Sequence, residues 1–328
     1  MSNLEKLRDY SYYSRFLKIV TKDSKMTSFN FNTYQAQLWE VMDRLVKENR
    51  PIRIIILKAR QLGISTYCTG RSVHTTATNK NRRCLTIAQD KDASTNLFKM
   101  STRFYDHLPD VIKPMKRFSN KKELIFENPD EHLRASNPGL MSSLEIETAN
   151  NENAGRSKTI TDLHISELAF WNNAGTVLTG LFQAVPNNPE TSIVIESTAN
   201  GMSGKGEEFY NRWEAAQSGE SDFVPIFFPW QDNPEYEMDA TNFIPDKSEL
   251  DIMERVSGMT LRKLAWRRYK IKNEMGSALL DPVMQFQQEY PSTPEEAFIS
   301  SGRTVFSRDK ISELIAKAKS KNCGRFEI

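Results

Sequence analysis

The chain alternates between short apolar runs and longer stretches in which apolar residues recur at helical spacing. Residues 33–48 have the helical spacing, with Thr33 as the expected N-cap. Residues 52–57 form a β-branched apolar run, which is typical of a buried strand. Gly63 interrupts the chain after this run, and residues 64–78 are predicted to form the next helix. This order is the first indication of a mixed α/β fold.

The same alternation continues through the next part of the chain. Further strands are predicted over residues 84–88, 124–126, 144–148, 160–166 and 192–197, and further helices over residues 90–108, 176–185 and 206–216. Strands that alternate with helices indicate a mainly parallel sheet with helices on both of its faces.

The character of the sequence changes after residue 222. Residues 223–236 are rich in aromatic residues and proline, as in a segment that crosses between subdomains. Residues 247–288 are predicted to be helical, with the basic stretch 261–274 in their middle, and residues 291–298 indicate a turn and a short helix. The chain is therefore predicted to contain a core with an N-terminal helical arm (1–222), a lid or linker subdomain (223–305) and the start of a connection (306–328).

The composition is that of a globular protein. Of 328 residues, 38% are hydrophobic and 26% are charged, and the formal net charge is +2. No apolar run reaches the length of about 18 residues expected of a transmembrane helix, and the N-terminus lacks the apolar core of a secretory signal. The cysteines at positions 68, 84 and 323 form no C-x-x-C pair, so a structural zinc site is not expected.

Basic residues are locally concentrated although the net charge is small. The clusters comprise Lys80, Arg82, Arg83, Lys113, Lys116, Arg117, Lys121, Lys122 and the stretch 261–274. They leave room for a basic face that binds nucleic acid, but the overall charge does not demand one.

The turn after the first buried strand, KARQLGIST over residues 58–66, is the first candidate for chemistry. The phosphate-loop template G-x-x-x-x-G-K-[ST], aligned on Gly63, requires glycine at position 58 and lysine at position 64. The sequence instead has Lys58 and Ile64, followed by Ser65. A lysine at the start of the loop can also fold back over phosphates, because its side chain is long and flexible.

The residue types in this turn suit a bound phosphate. Gly63 permits the backbone to approach closely, and Lys58 and Arg60 supply positive charge. Ser65 or Thr66 supplies a hydroxyl for Mg²⁺. The first βα turn of a parallel sheet also places a helix N-terminus here, which favours an anion. The alternative is an ordinary βα turn with cations on its surface, since the strict pattern is not met.

A second candidate is TITDLHISELAFW, residues 159–171. Phosphate-binding folds use an acid at the carboxyl end of a strand to reach Mg²⁺ and the attacking water. The positions expected for an acid pair hold Ser166 and Glu167, so Glu167 would polarise the water and Ser166 would hold a metal-bound water. The alternative is a helix-capping serine followed by a glutamate in the first turn.

A third candidate is SIVIESTANGMSGKG, residues 192–206, in which a predicted strand ends in a turn of small polar residues. Ser197, Thr198 and Asn200 would emerge at the same edge of the sheet, where a γ-phosphate would lie. Taken alone, this segment is also compatible with an ordinary turn.

The order and spacing of these segments resemble the ATPase domain of the large terminase subunit, the DNA-packaging motor of tailed bacteriophages. The resemblance covers most of the chain and implies a P-loop NTPase fold, with a mainly parallel sheet flanked by helices and a small, mostly helical lid. Five segments carry it, namely Tyr34 with Gln35; the loop Lys58, Ala59, Arg60, Gln61, Leu62, Gly63, Ile64, Ser65 and Thr66; the strand HISELAFW; the turn Ser197, Thr198, Ala199 and Asn200; and QEYPSTPEEAF over residues 288–298.

The resemblance also implies roles for individual residues in binding ATP and Mg²⁺. Tyr34 and Gln35 match the motif that contacts adenine, and the loop 58–66 matches the segment that holds the phosphates. Metal contacts would come from Ser65, Ser166 and Glu167, and γ-phosphate sensing from Ser197, Thr198 and Asn200. Arg156 matches an arginine that reaches a neighbouring subunit's site, with Lys158 as the alternative.

The resemblance implies partners and a location as well. The expected partners are double-stranded DNA, the capsid portal protein, the small terminase subunit and further copies of the chain in a ring. The expected location is the host cytoplasm, docked on the procapsid and not in a membrane. The family usually continues into a nuclease domain, and this chain is expected to end where that domain would begin, so DNA cleavage is not expected.

Two departures from the family pattern keep other functions open. Ile64 replaces the usual lysine, and Ser166 replaces the usual metal-binding aspartate. A degenerate nucleotide-binding scaffold that bridges DNA and capsid is therefore one alternative to a motor. A helicase-type ATPase is another, although no second α/β domain of comparable size is predicted in the rest of the chain.

Overall fold

The structure is a computed structural model that describes residues 3–298 except 121, 152, 156–157 and 277–280. The predicted connection over residues 306–328 lies outside these described residues. Among them, no helix combines the length and the apolar character that crossing a bilayer requires.

A large sheet forms the centre of the described chain. The strands are β1 Lys18–Val20, β2 Met26–Ser28, β3 Ile52–Lys58, β4 Arg83–Ala88, β5 Phe118–Ser119, β6 Glu123–Glu127, β7 Gly139–Thr148, β8 Asp162–Ser166, β9 Ser192–Ser197 and β10 Val224–Phe228. Within the described residues, eight strands pair in the order β10-β3-β9-β8-β4-β7-β6-β5, while β1 and β2 form a separate hairpin. The neighbours from β10 to β7 are all parallel, and β6 and β5 complete the sheet through antiparallel pairs.

Helices cover both faces of this sheet. They are α1 Asn3–Lys6, α2 Tyr10–Tyr13, α3 Thr33–Lys47, α4 Ile64–Thr78, α5 Lys91–Asp106, α6 Ala174–Gln183, α7 Glu207–Gln217, α8 Lys247–Arg255, α9 Leu261–Asn273, α10 Pro282–Glu289 and α11 Pro294–Ala297. Successive side chains of a strand point to opposite faces. Accordingly, Ile54 and Ile56 of β3 belong to the core cluster that includes residues of α3, α4 and α5, whereas Ile55 and Leu57 belong to the cluster that includes residues of α6 and α7. The predicted α/β architecture is confirmed.

The predicted N-cap of α3 is wrong by one residue. Asn32, not Thr33, has the extended backbone of a cap, and its side chain accepts a hydrogen bond from the Gln35 N–H at 3.0 Å. The Gln35 side chain in turn accepts from the Asn32 N–H at 3.0 Å. This reciprocal capping box satisfies two backbone donors, whereas Thr33 is already the first helical residue.

The segment expected to cross towards a lid begins as part of the sheet. Residues Val224–Phe228 form β10, which pairs in parallel with β3 as an edge strand. The sheet therefore extends beyond residue 222, because this apolar run fits a pleated strand as well as it fits a connector. The division of the chain into a core and a lid stays a prediction.

The basic stretch 261–274 is largely occupied by contacts within the chain. Arg268 pairs with Glu249, and the Lys270 ammonium lies 2.5 Å from Glu274. Arg262 lies 3.1 Å from Glu237. These pairs leave less positive charge on α9 for a nucleic acid than the sequence alone indicates.

Candidate active site

The three candidate segments meet at the carboxyl edge of the sheet. Strand β9 lies between β3 and β8, with Leu57 opposite Ser197 and Ser166 opposite Glu196. Because all three strands are parallel, their carboxyl ends open at one edge, as expected for a ligand site in this type of fold. The sequence predicted that these segments reach one edge of the sheet, and the structure brings them together there.

The loop between β3 and α4 has the backbone that its glycine permits. Gly63 has a φ of 78° and forms the N-cap of α4. A Cβ added there would lie 2.7 Å from Gln35 Nε2, closer than atoms in van der Waals contact. Gln61 is also left-handed, with a φ of 59°. The loop thus turns sharply to present the N-terminus of α4, which favours an anion.

Amide side chains at the start of α3 hold this loop in place. Asn32 Nδ2 donates to the Leu62 carbonyl at 3.0 Å, and Gln35 Nε2 donates to the Gly63 carbonyl at 2.7 Å. The oxygen and the nitrogen of the Gln35 side chain are thus both engaged within the chain. Tyr34 is buried, and its hydroxyl donates to the Pro229 carbonyl at 2.8 Å. Adenine contacts by Tyr34 and Gln35 stay predictions.

Lys58 lies at the end of β3 with only 4% of its surface exposed. Its Nζ lies 2.8 Å from Glu167 Oε1 and 3.1 Å from Glu196 Oε2. Burial by itself lowers the pKa of Lys58, but the two carboxylates outweigh it and raise the pKa above its usual value. Lys58 is therefore a charged ammonium inside the site.

Ile64, at the position where the template expects lysine, lies in the core. Only 1% of its surface is exposed, and it belongs to the apolar cluster on the α3 and α4 side of the sheet. The first turn of α4 directs this position towards apolar neighbours, so the isoleucine contributes packing where the template expects a phosphate contact.

Glu167 has a backbone conformation that is rare outside glycine, with φ 55° and ψ 50°. Such conformations cost of order 1–3 kcal/mol and cluster at functional sites. Its Oε2 accepts from the Thr198 N–H at 3.2 Å and from Ser197 Oγ at 3.4 Å. The side chain is 28% exposed, so one part of it faces the solvent side of the site. The alternative was a helix-capping Ser166 followed by a glutamate in the first turn. The Ser166 hydroxyl instead donates to Glu196 Oε1 at 2.8 Å.

Glu196 is the site residue that sequence reasoning missed. It lies in β9 with 0% of its surface exposed. Its Oε1 accepts from Ser65 Oγ and from Ser166 Oγ, both at 2.8 Å, and lies 3.4 Å from His164 Nε2. Burial by itself raises the pKa of Glu196. The contacts with Lys58 and His164 outweigh this effect and hold the pKa well below its usual range. The available signal was an acid inside the otherwise apolar strand IVIES.

His164, on β8, also lies against this carboxylate. Burial lowers the pKa of His164, but contacts with Cys68 and Glu196 reverse that effect and raise the pKa to about 10. Glu196 therefore lies between the Lys58 ammonium and the His164 ring, and neither nitrogen of that ring has a hydrogen-bond partner among the described residues.

Two cavities flank the loop. One, of about 370 Å³, is lined by residues that include Arg60, Ser65, Ser166, Glu167 and Thr198. The other, of about 490 Å³, is lined by residues that include Tyr34, Gln35, Gln61, Gly63 and Thr66. A wider cavity of about 620 Å³ lies between α6 and the segment before β8, away from these strand ends.

The remaining predicted residues have different positions. Arg60 lies 2.9 Å from Glu289 Oε2, at the end of α10. Asn200 Nδ2 donates to the Ala169 carbonyl at 3.0 Å, behind the acid-bearing turn. Arg156 lies outside the described residues.

The site residues fit the predicted Mg²⁺, although the described residues contain no preformed metal cluster of three His, Cys, Asp or Glu side chains. Mg²⁺ prefers oxygen ligands, and it is usually held by one or two carboxylates together with substrate phosphates and waters. Ser65, Ser166, Glu167 and Glu196 supply hydroxyl and carboxylate oxygens at this edge. Within the described chain, Glu196 Oε2 has no hydrogen-bond partner and only the Lys58 ion pair.

No protein-family model and no curated protein sequence matches the chain. Two similar solved structures are the large terminase of bacteriophage HK97 and the ATPase domain of the large terminase of Thermus phage P74-26. The first has a TM-score of 0.55 and 14% identity, over 89% of this chain and 55% of that one. The second has a TM-score of 0.51 and 14% identity, over 79% of this chain and 93% of that one.

The chain thus spans about half of the HK97 protein and nearly all of the P74-26 ATPase domain. At this level of identity the likeness concerns the fold. The resemblance inferred from the sequence motifs is confirmed at that level: the chain has the fold of the ATPase domain of phage large terminases.

Proposed function

We propose that this chain is the ATPase domain of a viral DNA-packaging motor, which hydrolyses ATP to move double-stranded DNA into a procapsid. The observation that carries the proposal is the convergence of Lys58, Ser65 and Glu167 beside the N-terminus of α4. A cation, a hydroxyl and a carboxylate beside a helix N-terminus are what phosphoryl transfer requires.

In the proposed mechanism, Lys58 and Arg60 hold the phosphate oxygens, and the first turn of α4 donates to them. Ser65, Ser166 and Glu167 would hold Mg²⁺, which when bound would supply positive charge against the charge that develops on the phosphates. Lys58 now contacts Glu167 at 2.8 Å. Binding of phosphate draws Lys58 towards the new negative charge, which frees the Glu167 carboxylate to orient the attacking water.

The turn after β9 connects this step to the rest of the protein. Thr198 donates its backbone N–H to Glu167, and Thr198 also lines the cavity of about 370 Å³. We propose that Ser197, Thr198 and Asn200 respond to loss of the γ-phosphate. Ser197 and Thr198 contact the Glu167 carboxylate, and Asn200 donates to the Ala169 carbonyl in the turn that follows Glu167.

The proposed motor works as an assembly. Arg156 of one copy acts on the ATP of the next, so efficient hydrolysis requires a ring docked on the portal protein of the procapsid in the host cytoplasm. Double-stranded DNA and the small terminase subunit are the other proposed partners. An arginine that a neighbouring subunit inserts into the site increases the rate of phosphoryl transfer roughly 10³-fold or more in related enzymes.

Measuring phosphate release with and without double-stranded DNA tests the proposal. We expect ATP hydrolysis that DNA stimulates, and we expect Glu167→Gln to abolish hydrolysis while nucleotide affinity stays within a few-fold. Glu207→Gln, at an exposed position of α7, is the matched control and should hydrolyse ATP normally.

Other results would point to other functions. Nucleotide binding without hydrolysis, in the presence of DNA and portal, would favour a scaffold that bridges DNA and capsid. Hydrolysis coupled to strand separation would favour a helicase. The described residues contain one large sheet and a two-stranded hairpin, so a second α/β domain of the helicase type is not among them.

A further inference from the structure

The buried carboxylate of Glu196 lies beside both Ser65 and Ser166, at 2.8 Å from each hydroxyl oxygen. We propose that Glu196 supplies the carboxylate of the Mg²⁺ site, moved from β8 to the neighbouring strand β9. This inference rests on the proposed ATPase function, and it gives a reason for Ser166, which replaces the family's usual metal-binding aspartate.

Strand register makes the exchange of positions possible. Ser166 and Glu196 are direct neighbours on the parallel strands β8 and β9. The Ser166 hydroxyl donates to Glu196 Oε1 at 2.8 Å, so the carboxylate lies directly against the serine side chain. Glutamate is one methylene longer than aspartate and can therefore reach from β9 to the space in front of β8. A carboxylate on either β8 or β9 can thus reach the same part of the site.

The contact with Ser65 connects Glu196 to the phosphate loop. Ser65 Oγ, in the first turn of α4, donates to the same oxygen, Glu196 Oε1, at 2.8 Å. Ser65 is the loop hydroxyl that the template assigns to Mg²⁺. The Glu196 carboxylate accepts a hydrogen bond from the Ser65 hydroxyl and thereby orients the lone pairs of Ser65 Oγ. It also adds the negative charge that a serine at position 166 lacks. Ser65, Ser166 and Glu196 therefore form one connected set of oxygens.

Glu196 is fully buried, which is costly for a carboxylate that lacks compensating partners. A buried carboxylate is tolerated only when it is paired and hydrogen-bonded. Among the described residues, Oε2 has the Lys58 ion pair at 3.1 Å but no hydrogen-bond partner. One oxygen is thus fully engaged by two serines, while the other faces only the cation that the proposed mechanism directs towards phosphate.

A charge-exchange experiment tests the inference. The affinity for a fluorescent ADP analogue is measured with Mg²⁺ and with EDTA, in wild type, Glu196→Gln and the double variant Ser166→Asp with Glu196→Gln. Wild type should bind more tightly with Mg²⁺. Glu196→Gln should lose about tenfold or more of that gain. The double variant, which returns the carboxylate to β8, should recover most of it.

Two further variants separate metal binding from folding. Glu196→Asp keeps the charge near Lys58 and His164 but withdraws it from Ser65, so it should remain folded and still lose the Mg²⁺ gain. Glu147→Gln, on β7, removes a carboxylate that pairs with Lys122 outside the site and should retain the gain. Thermal melting of each variant checks the fold, and Mn²⁺ electron paramagnetic resonance reports metal binding directly.

The outcomes distinguish this inference from the proposed function. Folded Glu196→Gln and Glu196→Asp proteins that keep the full Mg²⁺ gain would overturn the role of Glu196 and leave the ATPase proposal intact. A folded double variant that recovers nothing would also overturn it, in favour of a simple counterion for Lys58. Wild-type protein that binds no nucleotide under either condition would overturn both.

Discussion

At the scale of single residues, the phosphate loop has its lysine at position 58, where the template has glycine, and an isoleucine at position 64, where the template has lysine. Lys58, at the start of the loop, is buried beside two carboxylates, whereas Ile64 packs in the apolar core. A cation held by carboxylates is available to phosphate, because phosphate can replace one negative partner by another. A buried isoleucine can affect the site only through packing.

Lys58→Ala should therefore abolish ATP hydrolysis and weaken ATP binding. The lost charge-assisted contact is worth about 1.5–3 kcal/mol in binding, and more in the transition state. Calorimetric titration with a non-hydrolysable ATP analogue measures the binding loss, and phosphate release measures the loss of activity. Thermal melting must accompany both, because the variant leaves Glu167 and Glu196 without their cation.

Ile64→Val is the matched control within the same loop. Removal of one buried methyl group should cost roughly 0.5–1.5 kcal/mol of unfolding free energy and leave ATP hydrolysis near the wild-type rate. Equal loss of hydrolysis in Lys58→Ala and Ile64→Val would mean that Lys58 acts only through packing.

At the scale of elements, α10 contacts the loop directly. The Arg60 N–H donates to the Glu289 carbonyl at 3.0 Å, and the Arg60 guanidinium lies 2.9 Å from the Glu289 carboxylate. The Tyr236 hydroxyl donates to the Arg60 carbonyl at 2.7 Å. A ligand that moves Arg60 therefore changes contacts with the segment that follows the sheet.

Glu289→Gln should increase ATP affinity if Arg60 must leave Glu289 to reach phosphate. Arg60 is 57% exposed, so the gain is limited to about 0.2–1 kcal/mol, a few-fold in dissociation constant. Glu237→Gln, which breaks the pair with Arg262, is the control and should not alter the affinity. Unchanged or weaker binding by Glu289→Gln would show that the Arg60 pair does not compete with the nucleotide.

The N-terminal arm docks on α4 through His74. The His74 Nε2 lies 3.0 Å from the Leu7 carbonyl, and the rings of Tyr10 and Tyr13 pack against the imidazole. Burial, which is the largest cause, lowers the pKa of His74 to about 4. The histidine of the arm contact is therefore neutral in the folded protein at neutral pH.

This burial predicts a loss of stability at acidic pH. The unfolded chain, in which a histidine has a pKa of about 6.5, binds the proton first, so the contribution is complete above that pH and is lost as pH falls towards 4. Between pH 7 and pH 5 the expected loss is roughly 2 kcal/mol of unfolding free energy.

Urea unfolding at the two pH values measures this loss. His74→Gln should lose less stability than wild type on acidification, whereas His107→Gln, at an exposed position, should behave as wild type does. The same pH dependence in wild type and His74→Gln would exclude His74 as its source.

At the scale of the whole molecule, the proposed ring makes a prediction that single chains cannot satisfy. Arg156→Ala and Glu167→Gln chains should each be inactive, but mixed rings contain sites that pair an intact Glu167 with a neighbour's intact Arg156. Phosphate release should therefore reappear in the mixture. No recovery in mixtures that are shown to co-assemble would mean that Arg156 acts within its own subunit or not at all.

The sequence by itself determined many of the elements of the sheet and its helices. Apolar periodicity placed a helix over residues 33–48, and the break at Gly63 indicated another over residues 64–78; the structure has them at Thr33–Lys47 and Ile64–Thr78. These features depend on neighbours along the chain, since a helix repeats within a few residues and a glycine turn requires only local backbone freedom. The acid at the end of β8 and the small polar turn after β9 were also recognisable, because each follows its own strand.

Only the tertiary structure decided which of these elements lie side by side. Sequence patterns gave no sign that β10 borders β3, or that Gln35 holds the Gly63 carbonyl. Glu196 looked like one polar residue in an apolar strand until β9 was placed between β3 and β8. Strand order depends on long-range packing, so the contact between Glu196 and Ser65, across 131 positions of sequence, has no local signal although the acid itself is visible in its strand.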